Sequence, residues 1–435
     1  MRIIPIFGSI NPTGMNQFPI TDDTVIFGLL CLCLGFVFIT SSFKKGFWKK
    51  FYKIIPTLLM CYMLPAILTS LGIISEPDSN LYFVASRYLL PAALVLMTLS
   101  IDIKAIMNLG SKALIMFLTG TFGIIIGGPI AILIVSTFSP ETVGGNGFDA
   151  VWRGLTTIAG SWIGGGANQA AMLEVFAFNP KKFGDMVLVD IVVANIWMAI
   201  LLLGIGKATR IDRWLKSDTS AIESLKQKVS EYTASITRVA SLNDYMVMLF
   251  LAFTAVGLAH FFGNNFAEWL ESSFEVIRNK EKALSSLGSN FLWMVVFATA
   301  IGIILSFTKA KKFEGAGASK LGGVFIYILV ATIGMKMDLR AFLENPGLIM
   351  VGLIWISIHA GLLILVAKLI KAPYFFLAVG SQANVGGAAS APVVAAEFHP
   401  SLTSVGILLA VLGYVVGTAG AYLCGLLMEV ASQVG

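Results

Sequence analysis

Two polar clusters lie inside apolar sequence, where side-chain oxygens could bind a cation or a small solute. In "GSWIGGGANQAAMLEVFAFNP", Gly160 to Pro180, Ser161, Asn168 and Gln169 surround the run Gly164, Gly165 and Gly166. In "GSQANVGGAASAPVVAAEFHP", Gly380 to Pro400, Ser381, Gln382, Asn384 and Ser390 surround Gly386 and Gly387. Glycine lets a chain leave the helix at little steric cost. Carbonyls freed at such a break can face a cation, and N–H groups at the start of a half-helix can face an anion. Sodium should favour oxygen ligands, as other hard cations do. The expected sodium ligands are Asn168, Asp190 and Asn384. The plainer role for all these residues is packing and hydrogen bonding between helices.

Asp190 is the one acidic residue well inside an apolar run, "MVLVDIVVANIWMAI". An ionisable group there is expensive and marks a functional position by default. It could ligate sodium or carry a proton; a structural carboxylate bonded to Asn or Ser is the plainer reading. Asn195, five residues on, joins the candidates. His359 in "GLIWISIHAGLLIL" reads as a satisfied helix–helix residue, with proton coupling as the sharper option. Glu174 and Glu397 stand near the ends of the glycine-rich stretches, as mouth residues or interfacial charges. Asp102 and Asp338 precede basic residues and read as helix-end anchors.

The elements that must position these residues are membrane helices. The 435 residues are 57% hydrophobic and only 12% charged, against roughly 25% charged in soluble domains. Ten apolar runs approach the length needed to cross about 30 Å of hydrocarbon. They are 25–40, 54–74, 88–101, 113–135, 187–205, 245–262, 291–307, 321–335, 348–366 and 402–428. The net charge of +6 is concentrated in short loops, so it reports topology rather than a nucleic-acid partner. Cys31, Cys33, Cys61 and Cys424 all fall in apolar runs, which argues against redox or metal chemistry. The N-terminus lacks the order of a cleaved signal peptide. No GxSxG, HExxH or GxGD pattern occurs, and "GIGKAT" misses the phosphate-loop spacing, so neither an enzyme nor a primary pump is expected. A channel and an intramembrane enzyme are the alternatives from other classes.

Loop charges give the orientation. Ser41–Lys53 and the linker 207–244 are basic and should be cytoplasmic, whereas Ser139–Gly154 is acidic and should lie outside. An odd number of crossings must separate the last two. The parity is met if the stretch near Leu155–Phe176 enters and returns to the same side, and likewise Tyr374–Ala396. A broken helix crossing once is the rival.

The two stretches align without gaps: Gly160, Ser161, Gly166, Ala171, Phe178 and Pro180 meet Gly380, Ser381, Gly386, Ala391, Phe398 and Pro400. Upstream, "LSIDIKAIMN" meets "MKMDLRAFLE". The order of elements is thus duplicated, and loop charge places the halves in opposite orientations. The expected fold is an all-α polytopic membrane protein of two inverted repeats, 25–206 and 245–435. An N-terminal extracytoplasmic segment 1–24 and a cytoplasmic linker 207–244 complete it. Inverted repeats with paired interrupted segments point to a secondary transporter that binds near the midplane.

On these motifs the chain resembles the YjcL-like family of membrane proteins of unknown function. That family is placed with the glutamate:sodium, hydroxycarboxylate:sodium and bile-acid:sodium symporters and the sodium/proton antiporters. The resemblance implies sodium-coupled symport of a small organic anion, amino acid or short peptide by an elevator-type mechanism. Proton coupling or sodium/proton antiport is the alternative. It also implies a homodimer in the bacterial inner membrane, no cofactor beyond the coupling ion, and an acidic ion site at Asp190. The tips "GGGAN" and "NVGGAAS" differ from those of relatives, so no ligand set carries over.

Overall fold

A computed structural model describes residues 19–55, 57–75, 79–99, 106–107, 109–218, 222, 238–278, 283–337, 345–399 and 402–434. The N-terminal segment to residue 18, linker residues 219–221 and 223–237, the Asp102 and Asp338 corners and Pro400 lie outside the described residues. Apart from one isolated bridge between Ile20 and Ile74, the regular elements described are helical. This follows from the solvent: in hydrocarbon each backbone donor must find its partner within the segment, which a helix provides.

The first half runs α1 (Asp23–Ser41), α2 (Gly46–Ile54), α3 (Thr57–Ser70), α4 (Leu81–Leu99), α5 (Ser111–Ser136), α6 (Val151–Val175) and α7 (Phe183–Ile205), followed by the short α8 (Ala208–Leu215). The second half runs α9 (Leu242–Ser273), α10 (Asn290–Ser306), α11 (Ala318–Lys336), α12 (Gly347–Leu369), α13 (Tyr374–Val385), α14 (Gly387–Phe398) and α15 (Thr403–Val434). Among the described residues, eight helices are long and apolar enough to cross a membrane. The count reaches ten if α3 with α2, and α10 with the turn Lys309–Ala316, each form one bent span. These two bent spans occupy the same place in the two halves, second in order, as duplication requires. Counted in this way, each half supplies five spans and one glycine-rich element.

The helices pack in two layers. In one layer α10 lies on α9 and α4, and α11 on α3 and α4, with α1 against α3 and α11. In the other, α15 packs on α6, α5 and α14, while α5 also holds α12 and α13 and α7 lies on α12 and α6. Both layers mix the two halves. Their outer faces carry large apolar side chains such as Leu32, Phe250, Phe261 and Leu365. Such residues are at no cost when hydrocarbon is the solvent.

Candidate functional site

Both glycine-rich stretches are helical hairpins. In α6 the backbone leaves helical geometry at Gly165, where φ is 73° and ψ −172°, a region essentially restricted to glycine. The arms then fold back: a Cβ on Gly160 would stand 2.6 Å from the Asn168 carbonyl oxygen. At the open end, Arg153 Nη1 donates to the Phe176 carbonyl at 2.6 Å and the Trp152 and Phe176 rings meet at 5.8 Å. The second hairpin is α13 and α14, which turn at Gly387 with φ 54°. Its open end closes through Phe375 and Phe398, whose ring centroids are 5.3 Å apart. The rival single-crossing helix is thereby excluded.

The hairpins enter from opposite faces. α7 begins beside the base of the first hairpin and ends at the base of the second, where Tyr374 Oη donates to the Leu201 carbonyl at 2.8 Å. α15 starts at the second base and reaches the first, where Tyr422 stacks on Phe176 at 5.5 Å. The path from Phe183 to Gly204 rises about 32 Å and that from Thr403 to Gly425 about 33 Å, one hydrocarbon thickness each. The tips meet between these bases: a Cβ on Gly387 would lie 3.9 Å from Gly165 Cα. α15 runs past both, with Gly413 against the Ile163 carbonyl and Gly417 against Gly164.

Buried polar side chains latch the arms. Asn168 Nδ2 donates to the Gly164 carbonyl at 2.9 Å, and Thr418 Oγ1 donates to Asn168 Oδ1 at 2.6 Å. Asn384 Nδ2 reaches the Gly380 and Phe117 carbonyls, each at 2.9 Å, and Thr121 Oγ1 donates to Asn384 Oδ1 at 2.7 Å. The pattern is the same at both tips: an Asn three residues from the positive-φ glycine, its oxygen taken by a Thr on a long helix. Asp190 is buried and accepts from Trp162 Nε1 at 2.7 Å and Gln169 Nε2 at 3.0 Å, with Ser161 also bonding the carboxylate. Ser381 accepts from Trp197 Nε1 at 2.8 Å and lies 2.8 Å from His359 Nε2. His359 Nδ1 faces the Gly120 carbonyl at 3.0 Å, an acceptor only. The network therefore assigns the proton to Nδ1, and Ser381 donates to Nε2. His359 is a satisfied residue between helices.

One donor at the tips stands apart. Gln382 is buried, and its Nε2 has no hydrogen-bond partner. Its Oε1 and the Ser390 side chain crowd Gly386, one residue before the N-terminus of α14. Amide donor, hydroxyl and half-helix N-terminus converge there.

The layers touch at several places, among them the following. Tyr62 of α3 donates to Gln169 Oε1 at 3.4 Å, and Gly166 lies against Ile326 of α11. At the base of the first hairpin, Arg87 Nη2 pairs with Glu174 Oε2 at 2.8 Å, and Tyr82 bonds the other oxygen. Arg87 sits in a π-helical turn, Ala85–Leu89, a departure that often marks functional positions. Glu174 is thus an ion-paired residue at the hairpin base, whereas Glu397 is exposed.

The structure brings Ser161, Gln169 and Asp190 together, and Gly164, Gly165 and Gly166 with Asn168, Gly386 and Gly387 at the tips. Asn195 requires a correction: it is exposed and its amide bonds the Ile191 carbonyl of its own helix at 2.7 Å. Five residues along a helix turn about 140° away from Asp190, which explains it. Asn168, Asp190 and Asn384 belong to three separate hydrogen-bonded groups, each with its oxygens already taken. Trp162, Trp197, Thr121, Thr418 and Arg87 were not singled out from sequence. Trp197 could have been, because it lies seven residues from Asp190 on the same helix face.

These features define an all-α polytopic membrane protein in which two glycine-broken helical hairpins meet at their tips. Within that class, the chain belongs to the family described as "Protein of unknown function (DUF819)", whose model matches residues 28–430. It is 24% identical over 362 residues to the "Uncharacterized membrane protein YjcL" of Bacillus subtilis (strain 168), covering 81% of this chain and 84% of that protein.

Proposed function

We propose that this protein is a secondary active transporter that carries a small polar solute by alternating access. The observation that supports it most directly is the meeting of Gly165 and Gly387, two hairpin tips entered from opposite faces. A solute held there is reachable from either side once one hairpin, or the whole hairpin layer, moves. The hairpin layer is the mobile carrier in this reading, and the layer of α1, α3, α4, α9, α10 and α11 is the static scaffold. The contacts between the layers combine the Tyr62–Gln169 and Arg87–Glu174 bonds with apolar packing such as Tyr62 on Phe183. The unpartnered Gln382 Nε2 and the N-terminus of α14 favour a solute that presents a carboxylate.

Two couplings fit. Sodium at Asn168, Asp190 or Asn384 would share an oxygen that already accepts a hydrogen bond. Proton coupling through Asp190 is favoured by its setting, because its carboxylate is held by neutral donors with no basic partner among them. Purified protein in liposomes should accumulate label from a pool of small carboxylates and amino acids when an ion gradient is imposed. A sodium gradient and a proton gradient, applied separately, identify the coupling ion. Flux that equilibrates the solute but never concentrates it would indicate a channel instead.

A further inference from the structure

On the side that loop charge assigns to the cytoplasm, α2 (Gly46–Ile54) joins α1 to α3 and carries two kinds of side chain on separate faces. By helical register Phe47, Trp48, Phe51 and Tyr52 share one face, and Lys49 and Lys50 centre about 180° away from it. The aromatic face is seated against the end of α1. The Trp48 ring meets that of Phe36 edge-on at 5.4 Å, and the Tyr52 and Thr40 hydroxyls are 2.8 Å apart. Phe36 lies five residues before the last residue of α1, so this contact is roughly 7 Å in from the helix end. An interfacial helix buries its apolar face to the same depth, about 5–10 Å. The direction of the axis fits as well: α2 and α3 are bent by 99°, so α2 lies along the surface where α3 crosses. Phe47, 68% exposed, carries the aromatic face beyond α1. On the opposite face Lys49 and Lys50 are exposed, as are Lys44 and Lys45 just before the helix. Among the described residues none of these four forms an ion pair. From Thr24 to Ser75 the sequence has five lysines and no Asp or Glu, so no local counter-charge answers them.

We infer that α2 is a binding site for anionic phospholipid, with its aromatic face at the acyl boundary and its lysines on the headgroup phosphates. A soluble anion would use the lysines but not the rings. A neutral lipid would use the rings but leave the lysines without a counter-charge. An anionic lipid uses both. Each lysine near an anionic surface is worth roughly fivefold in partition, so Lys49 and Lys50 together are worth roughly 25-fold. Basic loops also orient a chain in the membrane. That effect depends on the charge of the loop and not on the face of a helix that carries it. Both helices that α2 joins pack on α11, so the lipid grips the layer of α1, α3 and α11 and does not depend on what the hairpin tips bind.

The test is thermal unfolding of the full chain in detergent with added phosphatidylglycerol, phosphatidylcholine or inorganic phosphate. Phosphatidylglycerol should raise the midpoint by at least about 2 °C, and the other two by less than half of that. Salt at about 1 M should remove the difference between the lipids, because it shortens the screening length to about 3 Å. Lys49→Gln combined with Lys50→Gln should remove at least half of the phosphatidylglycerol shift. Lys309→Gln combined with Lys312→Gln takes the same charge from exposed positions in another basic loop and should keep the shift. Should the first pair fail to fold, Lys44→Gln with Lys45→Gln serves, because both precede the helix, and it should also reduce the shift. Equal shifts from the two lipids, or none from either, overturn recognition of the anionic headgroup. A shift from phosphate as large as that from phosphatidylglycerol overturns the lipid as ligand. A shift that both α2 pairs retain in full, or that the Lys309 and Lys312 pair loses equally, overturns the site.

Discussion

Replacing Gly165 by alanine tests the hairpin through the sign of its effect. At φ 73° and ψ −172° the backbone occupies a region that is essentially closed to residues with a Cβ. The space around it is open, since a Cβ would meet only Tyr414 Cε1 at 3.6 Å. The cost is therefore backbone strain alone, about 1–3 kcal/mol. In an unbroken helix the same change would stabilise by about 0.5–1 kcal/mol, because alanine loses less freedom than glycine. Gly166→Ala is the control: its φ is not positive, and its Cβ would meet only Ile326 Cγ2 at 3.8 Å. The measurement is equilibrium unfolding in a mixed detergent series, followed by tryptophan fluorescence, to which Trp162 beside the tip contributes. Gly165→Ala should unfold earlier than wild type, and Gly166→Ala at or beyond it. Equal or greater stability of Gly165→Ala would refute the hairpin geometry.

Asp190→Asn places an amide N–H against one of two N–H donors, Trp162 Nε1 or Gln169 Nε2, and should cost about 1–3 kcal/mol, read in the same unfolding assay. Gradient-driven uptake should fall in parallel; full uptake would remove Asp190 from the coupling path. The Arg87–Glu174 pair is mostly shielded from solvent, and a double-mutant cycle with Arg87→Gln and Glu174→Gln should return about 1–2 kcal/mol of coupling. A value near zero would mean that the pair does not hold the layers together. In the loop before α6, Asp149 is held below the usual carboxylate range by Asn179 and then by Lys182. A depressed value means that its contribution is full above about pH 4 and is lost as pH falls through the folded-state value. Melting of wild type between pH 6 and 3 should steepen relative to Asp149→Asn; the pair is exposed, so the difference should be small.

Much of this protein is legible in its sequence because a membrane leaves few choices. Long apolar runs must be helices, and the ten runs read from composition are ten helices within a few residues at most ends. The hairpins were legible as well, since glycine runs in apolar sequence and the parity of loop charge leave few other solutions. Asp190 announced itself by being acidic where acids are expensive. Asn195 did not fit, because linear proximity to Asp190 says nothing about the face that a side chain occupies.

What the tertiary structure decided is which groups meet across hundreds of residues. Thr121 and Thr418 are ordinary threonines until α5 and α15 bring them to Asn384 and Asn168. Gln382 looks like Asn384 in sequence, yet one is fully bonded and the other keeps a donor without a partner. Arg153 and Glu429 are 276 positions apart in the chain and face one cavity only because α15 returns to the base of the first hairpin. Hydrophobicity and glycine placement act locally and so can be read one segment at a time. Hydrogen-bond satisfaction depends on neighbours that packing supplies, and only the folded chain specifies them.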